Sequence, residues 1–227
     1  MLEEGLEKDI INKEEMEAMD PSDKTPAKFY QMFKVHKKHD TGKAPPERPI
    51  ISGSGSCTEN ISMFVEHHIK QLANKHPSYL QDSPDFLREI ENLNKTKIIE
   101  QWVILVSIDV SGLYTNIPQP EGLDAVGDAL EDREDKRIPS DFIVKLVELV
   151  LKNNIFEFIS ELFIQTIGTA MGTQPAPSYA NICMAKKIDT KIEELAKSFN
   201  NENPVIFFKR FLDDIFMLFR GSSDSLP

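Results

Sequence analysis

The sequence predicts an α+β fold in which antiparallel hairpins are backed by helices, and three observations carry that prediction. Phe207 to Phe219 is a run of large apolar residues broken at its centre by Asp213 and Asp214, which reads as two short strands joined by a turn at Leu212-Asp213. Trp102 to Asp109 is an apolar, β-branched run of strand length with an acid at its C-terminal end. Elsewhere apolar residues recur at helical spacing, most regularly at Ile143, Leu146, Val147, Val150 and Leu151 behind a capping Ser140.

An ionised carboxylate at the junction of two buried strands must be paired or must bind a cation. The bland alternative is a solvated Asp-Asp turn, since turns favour Asp. Asp109, arriving at the same place from a strand end, makes three carboxylates. These are hard oxygen ligands suited to Mg²⁺, and two such ions about 3.5–4 Å apart clamp the attacking and leaving oxygens of a phosphoryl transfer. With Tyr114 following Asp109 and Phe211 preceding Asp213, the D-x4-Y and F-x-D-D elements resemble motifs A and C of reverse transcriptases.

At 227 residues the chain can bury a sizeable core. No apolar run is long enough to span a bilayer, and the acidic N-terminus lacks a basic n-region and an h-region, so a soluble, intracellular protein with no membrane partner is expected. Cys57 and Cys183 form neither a disulfide framework nor a zinc motif. The net charge of −11 would oppose a polyanionic partner if it were uniform. Residues 1–25, however, carry nine acids against three lysines, whereas Lys28 to Arg48 carry six cations against two acids. The leader reads as a short helix from Leu2 to Met19 with a thin apolar stripe, hence a solvated helix or partly disordered arm. The basic stretch would attract a polyanion.

That stretch reads as two strands, Phe29 to His36 and Arg48 to Ser52, joined by a flexible tip. In reverse transcriptases the fingers hairpin carries a lysine on one strand and an arginine on the other, both holding the incoming triphosphate, and Lys34 and Arg48 match those positions. Arg offers phosphate a planar fork and Lys a point charge; the alternative is two solvated surface cations. His36 with His39, and His67 with His68, have spacings found in metal sites, but no second ligand pair accompanies them and no zinc site is expected. Thr58 is placed to cap a helix through Ile61, Phe64, Val65, Ile69 and Leu72, and Pro77 to Ser83 opens another through Phe86, Leu87 and Ile90. The wording R-P-I-I-S-G-x-G-S-x-T-E-N-I-S from Arg48, continuing to P-S-Y-L-Q-D-S-x-D-F-L from Pro77, resembles Penelope-like retroelement polymerases more closely than retroviral or group II intron ones.

Beyond motif A, the acidic segment Glu121 to Asp135 reads as a solvated helix, and the helix behind Ser140 is expected under the palm sheet. Ile155 to Phe158 and Leu162 to Gln165 look like a hairpin, with Ile159-Ser160-Glu161 where the family usually places an Asn-Gly turn. Gly168 to Asn181 looks like motif B. Gly172 is expected against the template base or nucleotide, because glycine lets a backbone approach a ligand closely; Met171 before it fits the Penelope-like pattern. A purely structural Gly/Pro loop is the alternative. Spacing of Tyr179, Ile182, Cys183, Ile188, Ile192 and Leu195 continues the helix.

The resemblance covers Lys28 to Gly221 and implies a right-hand polymerase whose antiparallel palm sheet is backed by helices. Residues 1–25 would be the acidic leader, 26–101 the fingers, and 102–227 a partial palm with motifs A, B and C and a finger-like insertion at about 119–166. It implies an RNA-directed DNA polymerase in which Asp109, Asp213 and Asp214 are catalytic and, with Val110, form the set around two Mg²⁺ ions, Mn²⁺ being a substitute. Lys34, Arg48, Tyr114, Met171 and Gly172 would bind the nucleotide; the partners would be an RNA template, a DNA primer and deoxynucleotides, in the nucleus. An RNA-dependent RNA polymerase stays open, and Tyr114 discriminates, since a ring under the sugar excludes a 2′-hydroxyl. So does a non-catalytic remnant that binds nucleic acid. Motif D, the primer grip and the thumb would follow motif C, so the chain ending at Pro227 is expected to be a truncated copy or a piece of a longer protein.

Overall fold

The apolar hairpins and helical stripes sort into two sheets and a helical core in the computed structural model, which describes residues 1–21, 24–35, 42–96, 102–198 and 203–221. The first half runs α1 (Leu2–Glu7), α2 (Lys13–Ala18), β1 (Ala27–Phe33), β2 (Glu47–Ser52), α3 (Glu59–Asn74), α4 (Ser83–Thr96), β3 (Val103–Asp109) and α5 (Leu113–Asn116). The second half runs α6 (Gln119–Glu131), α7 (Ser140–Lys152), β4 (Ile155–Phe158), β5 (Glu161–Ile164), α8 (Ala176–Met184), a π-turn (Ala185–Asp189), α9 (Thr190–Ser198), β6 (Val205–Phe211) and β7 (Asp214–Arg220). His36 and His39, with the tip beside them, fall outside the described residues.

The leader is not a solvated arm. Ile11 and Met19 are 2% and 0% exposed in the main core, and Leu2, Ile10 and Met16 pack on it. Its stripe looked thin because the chain breaks at Asp9 (φ 54), so the buried residues lie in and after the breaks instead of along one helical face. Asn12 caps α2, its Oδ1 accepting the Glu15 N–H at 2.8 Å in a capping box.

The core is made by α3, α6, α7 and α8. Ile61, Val65 and Ile69 of α3 and the full α7 stripe are buried as their spacing predicts. Two expectations fail here. The acidic segment is amphipathic: α6 buries Gly122, Ala125, Val126 and Leu130 and packs on α7 and α8. Its acids hid a face made largely of small residues. Helix α7, expected beneath the second sheet, has α3 and α6 as its main neighbours. Thr58 precedes α3 but caps no helix N–H; its hydroxyl lies 3.3 Å from that of Ser56.

The first sheet has the order β2-β1-β4-β5, with β1 antiparallel to β2 and parallel to β4. Phe29, Phe156, Phe158 and Phe163 gather on one face, with Phe29 and Phe156 rings 5.6 Å apart. The β4–β5 hairpin turns through Ile159 (φ 52) and Ser160 (φ 61), two left-handed residues where Asn-Gly is preferred. A β-branched residue there is strained. Combining Ile159→Asn with Ser160→Gly should raise unfolding stability by about 1–2 kcal/mol, the cost of a left-handed L-residue; an unchanged urea midpoint would show the turn to be unstrained.

The second sheet has the order β3-β7-β6, all antiparallel. One face sends Phe208 and Ile215 into the main core. The other is covered by α4, where Phe86 meets Phe216 edge-on at 5.0 Å and Glu89 pairs with Lys209 at 2.9 Å. Strand β3, for all its apolar residues, is an edge strand, paired among the described residues with β7 alone, and Leu105 remains 64% exposed.

Candidate functional site

Strands β3 and β7 pair in a register that sets Asp109 opposite Asp214. The β6–β7 hairpin turns at Leu212 (φ 53) and Asp213, and the Val110 N–H donates to the Asp213 carbonyl at 3.0 Å. One register pair and one backbone hydrogen bond therefore bring the strand end and the hairpin tip together.

Burial raises the Asp214 carboxyl above the ordinary carboxylate range, and the charges of Asp213 and Asp109 push it further. Such mutual repulsion is what a bound cation relieves. Among the described residues no three or more carboxylates, imidazoles or thiols stand close enough together to hold a metal ion by themselves, these three acids included. The acids line an open cleft instead, which fits Mg²⁺, an ion usually held by one or two carboxylates with waters and substrate phosphates completing its shell. The donor set fits that ion; a cage for a softer metal it is not.

The cleft has a volume of about 1000 Å³. Lys34 and Arg48 reach it from the first sheet, Asp109, Asp213 and Asp214 from the second, Val110 and Tyr114 from the segment after β3, and Met171 and Gly172 from the loop before α8. All nine residues singled out in the sequence line it. Tyr114 is half-buried; burial raises its phenol, the Asp213 charge adds to the rise, and Arg48 offsets part of it. The ring is thus within electrostatic reach of both the acids and a cation.

The loop before α8 ties the first sheet to α5 through backbone. Met171 and Gly172 carbonyls accept the Ile51 and Gly53 N–H groups at 2.9 and 3.0 Å, and the Thr169 N–H donates to the Tyr114 carbonyl at 2.8 Å. Gly172 has φ 124, and a Cβ there would stand 2.5 Å from the Ile51 carbonyl oxygen. Its close approach is therefore to strand β2, although the residue also lines the cleft. Gly168 plays the same part against the Tyr114 carbonyl, where a Cβ would come within 2.3 Å.

The support behind the hairpin was not foreseen from the sequence. Arg210, three residues before Asp213, is 0% exposed. Its Nε donates to both Asp189 oxygens at 3.0 Å, Nη1 to Asn181 Oδ1 at 2.6 Å and Nη2 to the Asn181 carbonyl at 3.0 Å. Ser78 Oγ and His76 Nδ1 lie 2.5 and 2.9 Å from Asp189 Oδ2. The only signal in the sequence was an arginine inside an apolar strand.

No protein-family model and no curated protein matches the sequence. Solved structures do. The chain resembles telomerase from Candida tropicalis in complex with a TWJ fragment of telomeric RNA, at TM-score 0.63 and 11% identity over 88% of this chain and 37% of that one. It resembles the apo telomerase of the same organism truncated from its C-terminal domain, at TM-score 0.61 and 11% identity over 88% and 45%. The RNA-dependent RNA polymerase of BmCPV in its quiescent state superposes at TM-score 0.59 and 14% identity over 94% and 19%. The chain spans less than half the length of these neighbours. It has the mixed helix-and-sheet fold that telomerase reverse transcriptase and RNA polymerase domains share.

Proposed function

We propose that the chain is the fingers and part of the palm of an RNA-directed DNA polymerase, transferring deoxynucleotides to a primer 3′-hydroxyl on an RNA template. The observation that carries this reading is that three carboxylates, Lys34, Arg48 and a half-buried tyrosine line one cleft. In it, Asp109, Asp213 and Asp214, with Val110 beside them, would hold two Mg²⁺ ions, for which Mn²⁺ can substitute. The metals supply charge stabilisation to the attacking and leaving oxygens of an in-line displacement. Lys34 and Arg48 bind the triphosphate, Met171 and Gly172 border the nucleotide, and Tyr114 sits under the sugar. Its ring favours deoxynucleotides over ribonucleotides. The RNA-bound telomerase neighbour supports a nucleic-acid partner, and the wording from Arg48 to Ser62 supports a Penelope-like retroelement as source, with the nucleus as its place of action. Among the described residues no helix is long and apolar enough to cross a membrane.

Primer extension on an RNA template tests the reading. Incorporation of deoxynucleotides, lost in Asp109→Asn, supports it; incorporation of ribonucleotides alone supports the RNA polymerase alternative that the BmCPV neighbour represents. Template binding without extension, even when the chain is continued by a palm and thumb, leaves a nucleic-acid-binding remnant. Arg48 gives a separate check. Neither it nor Lys34 pairs with a carboxylate among the described residues, so both are free for phosphate. Arg48→Ala should weaken triphosphate binding by about 1.5–3 kcal/mol, the range for a charge-assisted hydrogen bond. Equal affinity of both proteins would remove the hairpin from the site.

A further inference from the structure

The strand alternation of the first sheet sorts its side chains by chemistry. Ala27 stands opposite Phe156, Phe156 opposite Phe163 and Phe33 opposite Glu47. One face therefore takes Phe29, Phe33, Phe156, Phe158 and Phe163, and the other takes Lys28, Tyr30, Met32 and Arg48. The second face is the one turned to the cleft, which Lys34, Arg48 and Ile50 line; none of the five phenylalanines does. Their rings form a continuous row across β1, β4 and β5, with Phe29 5.6 Å from Phe156, Phe156 5.7 Å from Phe163 and Phe29 5.0 Å from Phe158.

The row is seated at one end only. Phe29 and Phe156 pack on a small buried cluster of Ala27, Ile51 and Ala170, separate from the main core, while Phe33, Phe158 and Phe163 stay 51%, 41% and 41% exposed. At about 150–250 Å² for a whole ring, these three leave roughly 200–330 Å² of aromatic surface in water, near the size at which a patch on a monomer often marks a binding site.

Size and charge select the occupant. A standard dimer interface takes about 800 Å² from each partner, well beyond this patch. A second copy would also bring Glu47 and Glu161, which share this face by their pairing with Phe33 and Phe158, against acids like themselves. Among the strand residues of this face there is no cation, so bases stacked on the rings would leave their phosphates unpaired beside a chain of net charge −11. Phe33 lies six residues along β1 from the level of Phe163 and two strands across, roughly 20 Å away, which is the length of about four helical turns.

We propose that this face docks an amphipathic helix whose apolar stripe covers Phe33, Phe158 and Phe163 and whose flanking Lys or Arg residues meet Glu47 and Glu161. The helix lies on the side of the sheet away from the cleft, so its docking stands whether or not the cleft is catalytic.

An 18-residue helical peptide with Leu at the stripe positions and Lys beside them is the probe, and the same peptide with Glu in place of Lys is its control. Titrated into the full chain at about 0.15 M salt, the Lys peptide should move the ring-proton resonances of Phe158 and Phe163 and bind about tenfold more tightly than the Glu peptide. Glu161→Lys, at an exposed position, should narrow that preference to about threefold or less. Glu194→Lys, the same charge change at an exposed position of α9, should leave it intact, which separates docking here from attraction to an acidic protein. Phe158→Ser combined with Phe163→Thr should weaken the Lys peptide about tenfold, and Asp109→Asn should bind it as the parent does. Equal affinity of the parent and the phenylalanine variant overturns the proposal, as does a preference that Glu161→Lys leaves unchanged. So do a dimer in sedimentation that the phenylalanine variant abolishes, which would make a second copy the occupant, and movement of the same ring resonances by a single-stranded RNA oligomer without peptide, which would make the face a nucleic-acid platform.

Discussion

Asp109→Asn should abolish Mg²⁺-dependent nucleotidyl transfer while leaving the protein at least as stable as the parent. On the proposed function Asp109 is one ligand of a two-metal clamp, and its loss would remove several kcal/mol of transition-state stabilisation, a fall of about 10³-fold or more at 1.36 kcal/mol per decade. The stability change has the opposite sign for an electrostatic reason. Asp214 holds its proton more tightly folded than unfolded, first through burial and then through the Asp213 and Asp109 charges. The stability contributed by that raised value is present below about pH 3.9, the free carboxyl value, and is lost as pH rises through the folded value. At neutral pH the three acids therefore repel one another, and removing one charge relieves the sheet. Mg²⁺ should raise the melting temperature of the parent, by mass action on the folded state, and should do so much less in Asp109→Asn. A variant that melts well below the parent, or responds equally to Mg²⁺, would sink the metal assignment whatever its activity.

These acids were legible, and much of their surroundings was not, because the two kinds of signal are written differently. A carboxylate inside an apolar run is an anomaly that a sequence displays openly, so Asp109, Asp213 and Asp214 announce themselves. Lys34 and Arg48 are ordinary surface cations by composition, and only the resemblance picked them out; the register Met32↔Arg48 then puts them on one end of one hairpin. Helix α6 escaped because its buried face is Gly122, Ala125, Val126 and Leu130, with too little large apolar surface to outweigh its acids. The leader escaped because Ile11 and Met19 lie outside its two short helices.

The helix after Gly172 is instructive in another way. Ile188 lies five and six residues beyond Cys183 and Ile182, which in a continuous helix would put it about 140° and 120° away from them. The π-turn inserts one residue and turns the later part back by about 100°, which leaves Ile188 half-buried against the main core. Asp189 beside it is 0% exposed and is the partner of Arg210.

That pair supports the second large expectation: Asp189→Ala should cost about 3–5 kcal/mol, because it leaves the Arg210 guanidinium buried without its counter-charge. For a chain of this size the melting temperature falls by roughly 2–4 °C per kcal/mol, hence by about 6–20 °C. Burial alone would raise the Asp189 carboxyl, but the His76 hydrogen bond, the Arg210 charge and the Ser78 hydroxyl outweigh it and hold the group below the ordinary value. Its contribution is therefore present above about pH 3.9 and is lost only as pH falls through the lower folded value. The gap between parent and variant should stay open down to about pH 4 and close only in stronger acid. Replacing both partners, as Asp189→Leu with Arg210→Met, should recover much of the loss, since an apolar pair of similar volume avoids the desolvation of two ions. The double variant separates stability from placement. Arg210 is fixed through its own backbone as well, its N–H to the Ser78 carbonyl at 2.8 Å and its carbonyl from the Leu80 N–H at 3.0 Å. The strand leading to Asp213 is thus pinned both to the segment before α4 and, through Asn181 and Asp189, to the helix that comes after the Gly172 loop. If that pinning sets the hairpin tip, the refolded double variant should keep its stability yet lose the Mg²⁺-induced rise in melting temperature. A single variant that melts within about 1 kcal/mol of the parent would show that the pair is not closed in solution, a result the median for exposed ion pairs would explain.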